Sequence, residues 1–364
     1  MSKVIVYTQA YNAEKTLSRA VDSILAQTYG DFIYYLLDNG STDKTGDMIK
    51  SYAREDKRIV PMFNEQNNLY QDGGLFDFFE YHDDEDLFCM CDADDEYYVD
   101  FLEKSLTFMT DHSLDIAVSG SDFIDEDTKK LCGARKLERD MILAEKAAWD
   151  ELFIHYHQFT RTAWGKLYKL KVLRNWQLCN PNGIWYGFDT LFVQRAFLRA
   201  DRVGVLAASL HKYYMSSTSV SLKYNKNRIL SDSVLDDAAR NFLREKVGFA
   251  SPKNNDFLSK VYFHAIKDTM NVLVNANIDL SEKLEGLRDI FTSEHTKRLI
   301  AWEGFQQEKA QMVEQVADWA ISQEAVFTGS NTGVTKDILE IYRNFLTLML
   351  EVSEEVQDSK ADNI

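Results

Sequence analysis

Three carboxylates stand directly after a short apolar run in the first third of the chain. The run extends from Leu87 to Cys91, and the acids are Asp92, Asp94 and Asp95. A short apolar run predicts a buried strand, and open α/β sheets bind ligands where their strands end. Like charges this close do not all ionise freely unless a cation neutralises them. Because hard divalent cations prefer oxygen ligands and bridge to phosphates, the pattern indicates a metal that holds a diphosphate. A solvated acidic turn is the alternative.

The composition excludes several classes of partner. The chain has 364 residues, 45% of them hydrophobic, and a formal net charge of −17. This length suits two domains. The negative charge argues against a nucleic-acid partner, which favours a basic face, and against a polybasic membrane anchor. Since no apolar run approaches the roughly 20 residues that span a bilayer, we expect no transmembrane segment.

The N-terminus and the cysteines predict a cytoplasmic protein. The apolar run from Val4 to Tyr7 indicates a strand rather than a signal peptide. Cys89 and Cys91 share one face of the predicted strand. This favours core packing over a zinc site, because no second cysteine pair completes one. Free thiols suit the reducing cytoplasm.

Apolar runs alternate with helical periodicity through the N-terminal part of the chain. The predicted strands are 3–8, 32–37, 59–63, 87–91, 115–119, 203–206 and 210–215. The predicted helices are one from about residue 12, one that runs to about 54, and others at 72–81, 143–153 and within 184–198. Such alternation predicts an α/β fold in which a mostly parallel sheet lies between helices.

The character of the chain changes near residue 225, where successive amphipathic helices begin. Apolar stripes run from Phe257 to Leu273 and from Ile338 to Val352. We therefore predict a catalytic domain over 1–224 and an all-α domain over 225–364. The stripes must be buried against one another, the first domain or a second subunit, so we expect packing, acceptor docking or a homo-oligomer.

Six segments, in the same order, resemble the motifs of family 2 glycosyltransferases. The family usually shows a strand followed by Thr-Tyr-Asn, a Ser-x-x-x-Gln-Thr segment, an Asp-(Asp/Asn)-Gly-Ser-Thr-Asp turn, an acidic metal motif, Trp-Asn-Lys-Leu-Tyr and Gly-Glu-Asp-Thr-x-Phe. The matching segments are residues 4–14, 22–29, 37–43, 91–95, 164–168 and 186–192. Together they are far more specific than any one of them.

The resemblance implies a bacterial-type enzyme with the GT-A fold, a mixed, mostly parallel sheet between helices. It implies transfer of a hexose or N-acetylhexosamine from a UDP-sugar to a hydroxyl of a glycan, surface polymer or glycoprotein. The reaction would be a single displacement that inverts the anomeric carbon and uses Mn²⁺ or Mg²⁺.

The resemblance also assigns the metal site. Asp94 is the expected direct ligand, and Asp92 would contact the ribose, a metal-bound water or the metal. Asp95 would support these ligands or cap a helix. Related transferases often have a histidine near His211 as a third ligand, and a hydrogen-bonded core histidine is the alternative.

Donor binding is expected at the ends of the first two strands. Asp38 would accept from the uracil N–H, or form the turn that follows it. Ala10 and Tyr11 would contact the base through backbone or packing, with a core role for Tyr11 as the alternative. Lys166 would bring positive charge to the phosphates, or form a surface salt bridge.

Asp189 is the expected general base, which accepts the proton of the attacking hydroxyl. It could also cap a helix. Trp185 and Tyr186 could stack on an acceptor sugar, or pack in a core.

Two departures from the family pattern support a rival hypothesis. Phe188 stands where the family usually has a glutamate, and residues 67–74 lack the usual arginine. A catalytically weak or inactive binding or scaffold protein is therefore the alternative. A phosphatase with Asp92 as its nucleophile is less favoured, because the threonine such enzymes use is missing.

Overall fold

The computed structural model describes residues 2–67, 79–174, 183–216 and 223–302. The chain divides into two compact units, each built from several segments. The first unit comprises Met1–Asn182, Gly187–Ser219 and Ala238–Asn254, and the second comprises Gly183–Tyr186, Val220–Asp237 and Asn255–Ile364. The boundary near residue 225 and the role of the C-terminal helices stay predictions.

The first unit contains a ten-stranded mixed sheet. Its strands are β1 (Val4–Ala10), β2 (Phe32–Asn39), β3 (Ile59–Asn64), β4 (Leu87–Met90), β5 (Glu96–Tyr97), β6 (Ile116–Asp125), β7 (Leu131–Arg135), β8 (Met141–Leu143), β9 (Lys166–Lys169) and β10 (Val203–Met215). The order is β3-β2-β1-β4-β9-β6-β10-β5, with β7 beside β6 and β8 beside β10. The β3, β2, β1 and β4 neighbours are parallel, whereas β9 is antiparallel to both β4 and β6.

Ten helices accompany the strands in the described part of the chain. They are α1 (Leu17–Leu25), α2 (Thr45–Glu55), α3 (Phe101–His112), α4 (Lys146–Glu151), α5 (Phe153–Tyr156), α6 (Phe188–Arg199), α7 (Arg228–Val247), α8 (Pro252–Asn275), α9 (Leu280–Thr292) and α10 (Glu294–Ile300). The predicted α/β fold with a mostly parallel sheet and C-terminal helices is confirmed.

The burial of β1 explains why its first residues are continuously apolar. Val4, Ile5, Val6 and Tyr7 are completely buried. Alternation between apolar and polar residues is absent because both faces of β1 are covered, as expected for a parallel strand. The apolar stripe of α1, which includes Leu17, packs in the same core.

Several elements differ from their predictions. The predicted helix 143–153 is two short helices, α4 and α5, and the two predicted short strands at 203–215 are one strand, β10. Its register against β6 shifts between Val205 and Ser209 and again between Ser209 and His211. Such bulges interrupt the period-2 pattern, which explains why the sequence suggested two strands. The helix at 72–81, apart from its last three residues, and the stripe from Ile338 to Val352 lie outside the described residues.

The first C-terminal stripe forms part of a helical core in the second unit. Leu258, Tyr262, Ile266, Met270 and Leu273 of α8 are all buried. The stripe therefore packs within the protein, as amphipathic helices usually do. Self-association stays a prediction.

Among the described residues, no helix is both long enough and apolar enough to cross a bilayer. Of the four cysteines, Cys89, Cys91 and Cys132 are described and none of these is in a disulfide. Cys89 and Cys91 are buried in the hydrophobic core beside β1, as predicted.

Candidate functional site

The parallel strands bring three sequence motifs to one edge of the sheet. Ala10 at the end of β1 is paired in register with Asp38 of β2. On the other side of β1, Cys91 N–H donates to the carbonyl of Tyr7 at 2.9 Å, which carries β4 towards Asp92 at the same edge. The carboxyl ends of these strands are where ligands bind in such sheets.

Hydrogen bonds connect the loop after β1 to the loop after β2. Asn12 adopts a left-handed conformation with φ of 49°. Its N–H donates to Ser41 Oγ at 2.9 Å, and its Oδ1 accepts from Thr42 N–H at 2.9 Å. Ala10 is completely buried, so it offers a ligand only its backbone, whereas Tyr11 is 45% exposed. The alternative of a core role for Tyr11 is therefore wrong.

Asp38 sits at the start of the turn that leads to α2. Its Oδ1 accepts from Ser41 N–H at 2.9 Å, so it does stabilise this turn. A Cβ added at Gly46 would lie only 2.5 Å from Asp38 Oδ2. The glycine thus allows the first turn of α2 to approach the carboxylate. Uracil recognition by Asp38 stays a prediction.

Asp92, Asp94 and Asp95 form a compact acidic cluster. Each provides one oxygen, and these oxygens all lie within 4.8 Å of one another. Asp94 is exposed, Asp92 is half-buried and Asp95 is buried. Burial is the main cause that raises the pKa of each carboxyl, and repulsion from neighbouring carboxylates adds to it. No lysine or arginine of the described chain forms an ion pair with these three side chains. The three oxygens are therefore a candidate ligand set for a divalent cation.

Asp95 faces a buried histidine. Its Oδ1 accepts from Tyr214 N–H at 2.9 Å, while its Oδ2 lies 3.3 Å from His211 Nε2. That Oδ2 and both ring nitrogens of His211 have no hydrogen-bond partner among the described residues. The ring is completely buried and stacks on Trp164 with centroids 4.3 Å apart. His211 is therefore not the hydrogen-bonded core histidine of the alternative hypothesis.

The imidazole of His211 is neutral and can offer a lone pair. Burial, and next the charges of Lys166 and Arg135, lower its pKa to about 3. Carboxylate oxygens with an imidazole nitrogen are a suitable ligand set for Mn²⁺, and the oxygens alone suit Mg²⁺. Among the described residues of this site, the group with ligand atoms close enough to hold a metal consists of the three aspartates, and His211 lies beside Asp95 outside this group. Which of these residues bind a metal stays a prediction.

Asp189 lies in the first turn of α6. The N-cap is Gly187, with φ of 94° and no side-chain cap, so the expectation that Asp189 caps this helix is wrong. Its Oδ2 accepts from Ala163 N–H at 3.2 Å. Burial raises the pKa of Asp189, which Ala163 N–H and the ammonium of Lys166 partly oppose. Asp189 in turn helps to raise the pKa of Asp92, so the two carboxylates share one electrostatic environment.

Lys166, at the start of β9, is almost completely buried. Its ammonium donates to the backbone carbonyls of Thr162 and Trp164. Burial, and next Arg135, hold the pKa of Lys166 well below its usual range. The alternative of a surface salt bridge is therefore wrong. The ammonium fixes the turn whose Ala163 N–H holds Asp189, and its contact with a phosphate stays a prediction.

Trp185 and Tyr186 belong to the second unit. Trp185 N–H donates to Ser231 Oγ at 2.8 Å. The hydroxyl of Tyr186 donates to Asp232, which also accepts from Thr269 at 2.6 Å. The polar end of Tyr186 is thus engaged by helical residues. Stacking of either ring on an acceptor stays a prediction.

Two residues that support the site lie outside the six family motifs. Arg19 of α1 donates to the backbone carbonyl of Asp94 and to Glu126 Oε2, the latter at 3.1 Å. Tyr97 donates through its hydroxyl to Met90 O and accepts from Gly165 N–H, both at 2.7 Å. Sequence reasoning missed both, because their partners are 68 residues or more away except for Met90.

The sheet and its flanking helices form the GT-A fold. Residues 5–170 match the family model described as glycosyl transferase family 2. This match and the names of the similar proteins indicate a glycosyltransferase.

The alignments with similar proteins cover different shares of those proteins. An uncharacterized glycosyltransferase, YibD of Escherichia coli strain K12, is 22% identical over 312 residues, which cover 82% of this chain and 87% of that protein. The glycosyltransferase GlyA of Streptococcus pneumoniae is 26% identical over 228 residues, 60% of this chain but 31% of that protein.

A solved structure shares the fold over most of both chains. It is residues 1–349 of S. aureus TarS in complex with UDP-GlcNAc. The TM-score is 0.52 at 15% identity, and the alignment covers 99% of this chain and 92% of that one. At this identity the similarity concerns the fold alone.

Proposed function

We propose that this chain is a metal-dependent inverting glycosyltransferase. It moves a hexose or N-acetylhexosamine from a UDP-sugar to an acceptor hydroxyl in a single displacement. The observation that carries the proposal is the cluster of Asp92, Asp94 and Asp95, whose oxygens lie within 4.8 Å of one another, within the residues that match family 2 glycosyltransferases. The UDP-GlcNAc bound by TarS supports a UDP-sugar donor.

The donor base and ribose belong at the ends of β1, β2 and β4. Asp38 Oδ2 accepts from the uracil N–H while its Oδ1 keeps the turn bond to Ser41. The backbone of Ala10 and the exposed ring of Tyr11 border the base. Asp92 contacts the ribose or a metal-bound water.

Asp94 would hold Mn²⁺ or Mg²⁺, with Asp92, His211 and the unpartnered Oδ2 of Asp95 as further candidate ligands. Such a cation supplies neutralisation of the charge that develops on the leaving diphosphate. Arg19 holds the backbone of Asp94 in place. Lys166 adds positive charge close to Asp189.

Asp189 acts as the general base. Ala163 N–H holds its Oδ2, which leaves Oδ1 to accept the proton of the attacking hydroxyl. The half-buried position raises the pKa of Asp189, and a carboxylate of higher pKa is a better proton acceptor at neutral pH. Phe188 supplies no second carboxylate, so other residues must orient the acceptor.

The acceptor in this proposal is a glycan, surface polymer or glycoprotein, and the protein acts in the cytoplasm. Several relatives are glycosyltransferases of bacteria, one of them named as a putative enzyme of teichuronic acid biosynthesis. The C-terminal helices would dock the acceptor or form a homo-oligomer.

A panel of nucleotide sugars tests the proposal. We expect one UDP-sugar to bind and to be hydrolysed slowly without acceptor, and chelation of divalent cations to stop both. For substitution of Asp189, Asp140→Asn is the matched control, since Asp140 also accepts a backbone N–H, from Ala207 at 2.7 Å. Binding without turnover under every condition would favour the scaffold alternative, and no binding of any nucleotide sugar would refute the proposal.

A further inference from the structure

Two arginines at the turn that holds Asp189 have no acidic partner among the described residues. Arg135 at the end of β7 is half-buried, and Arg161 is exposed in the turn before β9. The chain has 58 acidic residues against 41 lysines and arginines, yet neither guanidinium forms an ion pair with a carboxylate in the described parts of the chain. Burying a charge without a counterion costs free energy. The unpaired Arg135 in an acidic protein therefore suggests that it binds an anion.

Both arginines are tied to the turn that holds the candidate base. Arg135 Nη1 donates to Thr162 Oγ1 at 3.4 Å. The carbonyl of Arg161 accepts from the hydroxyl of Thr190 at 3.5 Å. Between these two contacts, Ala163 N–H donates to Asp189 at 3.2 Å. One short turn therefore connects the two arginines to Asp189 and Thr190 in the first turn of α6.

The guanidinium of Arg135 lies beside two aromatic rings. The guanidinium of Arg135 is 5.5 Å from the ring centroid of Phe123 and 5.7 Å from that of Trp164. Burial, and next the charge of Arg161, lower the pKa of Arg135 to about 10, so it stays charged at neutral pH. The planar guanidinium offers a fork-shaped donor set that suits phosphate or carboxylate.

We infer that the acceptor carries a phosphate or carboxylate close to its attacking hydroxyl, and that Arg135 and Arg161 bind this anion. The inference rests on the proposed function, because it takes Asp189 as the base. In the proposed function, a cation at the acidic cluster would neutralise the donor diphosphate. An anion bound next to the turn that holds Asp189 would therefore belong to the acceptor, whose hydroxyl must reach this base. The arginines thus orient the acceptor, a task for which Phe188 offers no charge.

The test compares small acceptor probes that differ in one anionic group. The pairs are sn-glycerol 3-phosphate with glycerol, and D-glucuronate with D-glucose, titrated against the full chain and followed by saturation-transfer NMR. We expect at least one anion to bind about tenfold more tightly than its neutral partner, the scale of one charged hydrogen bond. The phosphate and carboxylate arms distinguish the two sources of the charge.

Variants locate the binding on the arginines. Arg135→Gln and Arg161→Gln should each remove most of the preference for the anion, and Arg135→Lys should retain part of it. Arg139→Gln, an exposed arginine four residues beyond Arg135, is the matched control and should keep the full preference. Equal loss in the control, or no preference in the unmodified protein, would overturn the inference.

Two further measurements separate the possible failures. The preference should persist with saturating UDP and Mn²⁺, whereas displacement of the anion by UDP would assign the arginines to the donor and overturn the inference. Hydrolysis of UDP-sugars is measured on the same preparations. Turnover without an anion preference contradicts only the inference, and an anion preference without any turnover contradicts the proposed function.

Discussion

The substitution Asp189→Asn tests the base with almost no change of shape. Asp189 Oδ2 accepts from Ala163 N–H at 3.2 Å, and the side-chain carbonyl of asparagine can accept the same bond. The first turn of α6 should therefore keep its structure. What the variant loses is a group that can take a proton from the acceptor hydroxyl.

The size of the effect follows from the role. A general base contributes about 10²- to 10⁴-fold to the rate, which corresponds to about 3–5 kcal/mol in activation free energy. We expect kcat to fall within this range. Donor affinity should stay within about threefold, or improve slightly at acid pH, because Asp189 repels the charge on Asp92.

The assay is single-turnover transfer at saturating UDP-sugar, with donor affinity measured by calorimetry. In the unmodified protein kcat should fall on the acid side as Asp189 becomes protonated, and at a higher pH than an ordinary aspartate would give, because burial raises its pKa. The variant should lack this acid limb. A variant that keeps more than about a tenth of kcat, or loses donor affinity in parallel, would refute the reasoning.

Three further predictions concern the rest of the site and its scaffold. Asp94→Ala should abolish the Mn²⁺-dependent part of UDP-sugar binding in calorimetry, and an unchanged affinity would contradict its role as ligand. Gly46→Ala places a Cβ 2.5 Å from Asp38 Oδ2, so UDP affinity should fall about tenfold, the scale of one charged hydrogen bond; full UDP affinity would argue against Asp38 as the uracil contact. Phe242→Ala removes a ring that is 2% exposed and packs 6.3 Å from the Trp149 centroid, so denaturant unfolding should show a loss of about 3 kcal/mol. A loss below about 1 kcal/mol would mean that α7 contributes little to the first unit.

The elements that the sequence predicted well are those with strong local patterns. The runs at Val4–Ala10 and Phe32–Asn39 are strands, and the stripe that begins at Leu17 is a helix. The acidic residues after Met90 also follow directly from one buried strand. Hydrophobic periodicity and turn residues act over a few positions, so a single sequence is enough to find them.

Pairings between distant segments could not be found in this way. β9 lies between β4 and β6 and is antiparallel to both, although only four residues form it. The bulged register of β10 likewise depends on β6. No local pattern records which strands become neighbours, because loop closure and packing of the whole chain decide it.

The sequence by itself therefore predicted the α/β class, the resemblance to family 2 glycosyltransferases and a set of candidate carboxylates. Only the tertiary structure decided their surroundings. It buried Lys166 against backbone carbonyls. Among the described residues, it put His211 beside Asp95 without a hydrogen-bond partner and left Arg135 without a paired carboxylate. The identity of a side chain is a local property, whereas its burial, its pKa and its partners depend on residues far along the chain.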